Sequence, residues 1–67
     1  MKTLTAKQVK RLPLGTDVFL VNDKTGQRGS MWVIQNGRKK MLRGIINVME
    51  IKDKEGWHYE IKEEAER

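Results

Sequence analysis

The sequence predicts a mainly β fold: a small, strongly bent antiparallel meander of four to five strands, closing as a barrel behind one short N-terminal helix. Three observations carry this. Helix punctuation is confined to the first dozen residues. The turn signals Asp23-Lys24-Thr25-Gly26, Asn36-Gly37 and Asp53-Lys54-Glu55-Gly56 divide the remainder. The runs between them are short and rich in β-branched and aromatic residues. With 67 residues, no linker and no low-complexity stretch, residues 1–67 read as a single domain.

The helix is marked at both ends. Thr5 is a good N-cap, and Gln8, three residues on, can reach back to complete a capping box. Leu4 and Val9 have the spacing of a hydrophobic staple. Pro13 disfavours helix at Leu12, so the helix spans about residues 6–11. Two turns are not stable alone, so Leu4, Val9 and Leu12 need a surface to dock on. Lys7, Lys10 and Arg11 fall at i, i+3 and i+4 and form one solvated basic stripe.

Strands follow. The run 17–22 ends at the first turn signal, which suits a three-residue loop with Gly26 in the left-handed region. The next run, 29–35, meets Asn36-Gly37, the preferred dipeptide of a type I′ turn, and the chain returns over 38–43. Pairing Gln35 with Arg38 sets Trp32 and Ile34 opposite Met41 and Lys39 on one face. Met31 and Val33 then lie opposite Leu42 and Lys40 on the other. Gly44 either bends one long strand or reverses the chain into a fifth. The runs 45–52 and 57–62 read as a final hairpin with Asp53 paired to Trp57. This puts Met49, Ile51, Tyr59 and Ile61 on a buried face and Glu50, Lys52, His58, Glu60 and Lys62 on the solvent face. Residues 63–67 form an acidic tail. The run 17–22 is apolar on both sides, with Val18 and Leu20 against Phe19 and Val21. A bent strand, cover from the helix, or an exposed apolar patch would each account for that.

The strand region opens on Gly15, Val18 and Leu20 in a Gly-x-x-Val-x-Leu pattern and continues as a hairpin meander. Over residues 12–62 the chain resembles the SH3-like small barrels in architecture. The resemblance implies a small barrel and carries no functional residue with it.

Composition excludes several classes. Without cysteine and with a single histidine, no disulfide framework and no Cys- or His-based metal site can be built. No Gly-rich phosphate loop is present, so no cofactor is expected. The longest apolar runs, 18–21 and 31–34, are far too short to span a membrane, and the first residues lack a secretory stretch. A cytoplasmic domain is the expectation. No enzyme is expected either. Ser30 is the only serine and lies in no nucleophile-elbow pattern, and His58 falls on a charged face.

Charge is the informative feature. The net +5 divides into +8 over residues 1–44 and −3 over residues 45–67. Arg38, Lys39, Lys40 and Arg43 crowd the Asn36-Gly37 hairpin, Arg28 enters the same strand pair, and Trp32 lies on the face of Lys39 and Arg43. Such a hairpin can track phosphates while a ring stacks on a base. The expected function is therefore a small non-catalytic nucleic-acid-binding domain. It would contact DNA or RNA mainly at phosphate through Arg28, Trp32, Arg38, Lys39, Lys40 and Arg43, with Lys7, Lys10 and Arg11 contributing. The alternative is a protein-interaction module, an adaptor or inhibitor. It would bind its partner through Phe19, Val21, Met31 and Val33 on the central hairpin, or through an edge strand.

Overall fold

The computed structural model describes residues 3–61. Its elements are β1 (Thr3–Leu4), α1 (Ala6–Lys10), β2 (Asp17–Asn22), β3 (Arg28–Asn36), β4 (Lys39–Arg43), β5 (Val48–Glu50) and β6 (Trp57–Ile61). The fold is mainly β, with every strand pair antiparallel and the order β1-β6-β2-β3-β4-β5. Strands β2 to β5 form a meander of consecutive hairpins. The chain then crosses to lay β6 beside β2, and β1 adds outside β6. Among the described residues β1 and β5 do not pair, so six strands make an open sheet. Among the described residues no helix is long and apolar enough to cross a membrane. The acidic tail at 63–67 and the Lys62 position lie outside the described residues.

The helix forms where its punctuation places it. The Thr5 hydroxyl accepts from the Gln8 N–H at 3.3 Å, and the Gln8 carboxamide oxygen accepts from the Thr5 N–H at 2.9 Å. A further end group is satisfied from afar, because Asp53 Oδ1 accepts from the Ala6 N–H at 3.0 Å. So short a helix persists because it is docked: Val9 is fully buried and Ala6 nearly so.

One sheet face is the core. Val18, Met31, Val33, Leu42 and Tyr59 project from it and are buried with Leu4, Ala6, Val9 and Ile51, while Leu12, Leu20, Met49 and Ile61 pack around them. These side chains share a face because paired residues do: Val18 stands opposite both Met31 and Ile61, Val33 opposite Leu42, and Leu20 opposite Tyr59. Helix α1 covers this inner face. The opposite, outer face carries Phe19, Val21, Trp32, Ile34 and Met41.

Two turns depart from expectation. The loop after β2 has four residues, because Asn22 N–H donates to the Gln27 carbonyl at 2.9 Å. Asn22 Oδ1 accepts from Lys24 and Thr25 N–H and holds the turn, and Gly26 is left-handed as predicted, at φ +75. The β3–β4 turn is centred on Gly37-Arg38, since Asn36 pairs with Lys39. Gly37 has φ +65, and among the described residues none other than glycine has positive φ, which is the type II′ pattern with glycine first. The register is thus two residues from the expected one, and a shift of two leaves every side chain on its predicted face.

The larger correction concerns the last hairpin. β5 and β6 do not pair: β5 is an edge strand on β4, and β6 lies between β1 and β2. Residues 51–56 cross between them, anchored by Asp53 on the helix and by Tyr59, whose hydroxyl donates to the Lys52 carbonyl at 2.9 Å. Ile51 and Tyr59 are buried as expected, so the faces hold while the partners differ.

Candidate nucleic-acid interface

The outer face divides into two halves. Across β6, β2 and β3 it is closed by charge. His58 Nδ1 bonds Asp23 Oδ1, and His58 Nε2 lies 2.7 Å from Glu60 Oε2. Arg28 is 3.2 Å from Glu60 Oε1 and stacks 5.2 Å over the Phe19 ring. His58 and Arg28 flank Val21 across the two strand pairs, and Val21 is buried beneath them. The hydrogen bonds to Glu60 and then Asp23 hold the imidazole pKa above its ordinary value, and the bond from His58 holds the Glu60 carboxyl below its own. A carboxylate at each ring nitrogen gives both N–H groups of the imidazolium an acceptor and so favours the protonated form. Glu50, which the final hairpin would have put opposite Glu60, lies instead across the sheet on β5.

The other half, across β3, β4 and β5, is open. Trp32 pairs with Arg43, and Arg43 with Val48. The next row is Ile34, Met41 and Glu50. Trp32, Ile34 and Met41 are half-buried, while Arg43 and Val48 are exposed. Lys39, beside the turn, donates to Glu50 at 2.8 Å. That bond, with the charges of Lys39, Lys52 and Lys10, holds the Glu50 carboxyl low. Among the described residues Arg38 and Arg43 form no ion pair. Among the described residues no other element covers this half of the face, where Trp32 has Arg43 directly across from it.

The structure brings together only part of the predicted basic surface. Trp32, Lys39 and Arg43 share the open half, and Arg38 lies in the turn at its end. Lys40 does not, because alternate residues of a strand point to opposite faces. Its ammonium lies on the helix side and donates to the Leu12 carbonyl at 2.8 Å, closing the C-terminal end of the helical segment. Arg28 belongs to the closed charge network. Lys7, Lys10 and Arg11 are exposed on α1, in the layer behind the sheet, although Lys10 is near enough to β5 to act on Glu50.

The alternative apolar surface is mostly core. Met31 and Val33 face inward and Val21 is covered, so Phe19 is left half-buried under Arg28 and the four make no joint patch. The exposed apolar groups lie elsewhere: Ile45 and Ile46, at the β4–β5 turn, are 88% and 92% exposed. Sequence reasoning passed over them, although two β-branched residues at a turn that favours glycine and asparagine are a legible signal. Among the described residues no group of acidic or histidine side chains could hold a metal. Comparison with family models, with curated proteins and with solved structures finds no match to this chain.

Proposed function

We propose that the protein is a small, non-catalytic single-stranded nucleic-acid-binding domain whose site is the open outer face of β3, β4 and β5. The reading rests on one observation: Trp32 lies half-exposed on an uncovered sheet face with Arg43 directly across from it. A base stacks on the indole while Arg43, Arg38 and Lys39 meet successive phosphates. Stacking requires an unpaired base, so a single strand fits this face better than a duplex. Asp17 stands across from Trp32 on β2, and the contacts expected to carry the affinity are to phosphates, so binding is expected to depend little on sequence.

The chemistry of the closed half supports a binding role over catalysis. His58 carries a carboxylate on each ring nitrogen, leaving neither to take a proton from a substrate. The return of β6 beside β2 supports an SH3-like strand order, in a sheet that stays open among the described residues.

Anisotropy titration of a labelled oligothymidylate at two salt concentrations tests the function. Three phosphate contacts on a single strand give a log–log slope of about −2. Arg43→Ala should lower that slope by about 0.7. No binding at low salt, or binding unchanged by Trp32→Ala, would contradict the proposal.

A further inference from the structure

A second surface lies where β4 leaves β3. The β3–β4 ladder ends at Trp32 and Arg43, whereas β3 continues back to Arg28 against β2 alone. The hydrogen-bonding direction along β3 follows from Val33, whose N–H donates to Thr16 O at 3.1 Å, on the β2 side. Alternation then turns the N–H and C=O of Ser30 the other way, out of the sheet edge. Neither the β ladders nor the loop backbone bonds of the described residues take them up. Beside this edge the turn at residues 44–47 diverges and leaves a groove of about 400 Å³. Leu20, Met31, Met49 and Trp57 line its apolar part, and the exposed Ile45 and Ile46 form its lip. Gly29 lies in its wall, and a Cβ there would touch only the Leu20 carbonyl, at 4.0 Å.

We propose that this groove receives an extended segment of a protein partner, which adds as a strand to β3 at Ser30. The free main-chain donor and acceptor call for a backbone occupant. Side-chain alternation sets its chemistry. The residue opposite Gly29 points into the apolar groove, over a position with no side chain of its own, and is a large apolar one. The residue opposite Ser30 points to the outer face, two strand positions along from Arg43, and is acidic. Charge also excludes a second copy of β3 as the occupant, since the pairing would bring two arginine-bearing rims together. Ile45 and Ile46 close over the inserted apolar side chain.

The probe is a synthetic peptide of about eight residues alternating glutamate and valine, with a lysine–valine peptide as control. Amide spectra of the labelled protein should show the Ser30 N–H shifting and gaining exchange protection with the acidic peptide and not with the basic one. Ser30→Pro removes a donor the fold does not use, and should weaken binding by about tenfold or more while the far-ultraviolet spectrum is unchanged. Ile45→Ser with Ile46→Ser, at exposed positions, gives a second variant with the same expected loss. Equal binding of both peptides, unchanged affinity in both variants, or peptide shifts confined to Trp32 and Arg43 would overturn the proposal. An oligonucleotide that protects Ser30 would do so too, by assigning the groove to nucleic acid.

Discussion

Lys39 and Lys40 are adjacent and chemically identical, yet one is bound to a surface carboxylate and the other to the end of the helical segment. Lys40→Ala removes a charged donor from a partly buried carbonyl and is expected to cost about 1 kcal/mol in chemical denaturation. Lys39→Ala should leave stability unchanged and weaken oligonucleotide binding. That division was legible, because adjacent residues of a strand point to opposite faces. The fate of Lys40 was not, since its acceptor is 28 residues away in sequence. His58 makes a comparable point. Its only visible signal was a place among charges, and its partners Asp23 and Glu60 come from the β2–β3 loop and from β6 itself. Its folded pKa lies above the unfolded value near 6.5, so its contribution to stability is complete below that pH and is lost as pH rises through the folded pKa. The melting temperature should therefore fall as pH rises above about 6.5, and His58→Gln should flatten that stretch of the profile.

At the scale of elements, patterns local in sequence were reliable and pairings between distant segments were not. The capping box, the left-handed Gly26 and the two-sided faces of β3 and β4 all follow from neighbours a few residues apart. Alternation in residues 49–51 and 57–61 showed that each run buries one face. It could not show that the two pair with β4 and β2 rather than with each other. The deciding contacts are the Asp53 carboxylate on the Ala6 N–H and the Tyr59 hydroxyl on Lys52, both made by side chains that equally suit a turn or a core. Asp53→Ala should cost about 1 kcal/mol, as loss of a cap does, while Asp53→Asn keeps the acceptor and most of the stability. Gly37→Ala forces a Cβ into the left-handed region and should cost about 1–2 kcal/mol.

At the scale of the molecule, a 67-residue chain without disulfides has a stability of only about 3–10 kcal/mol. Leu42, fully buried in β4, shows how thin that margin is: Leu42→Ala should cost about 2–5 kcal/mol and leave a large unfolded fraction at ambient temperature. The fold nevertheless leaves apolar groups outside this core, at the Trp32 face and the Ile45-Ile46 turn. Those are the two surfaces proposed to bind. The split of the net charge into +8 and −3 proved a coarse guide to the first, because several cations serve structural contacts and, among the described residues, Arg43 is the one placed directly beside the ring, with Lys39 further along the same face. The central claim is that Trp32 stacks on a base, and fluorescence reads this directly. In a Trp57→Phe background Trp32 is the only tryptophan, and its emission is followed as oligothymidylate is added at low salt. The account predicts saturable quenching that reverses with added salt. Oligonucleotide binding with no change in Trp32 emission would contradict it.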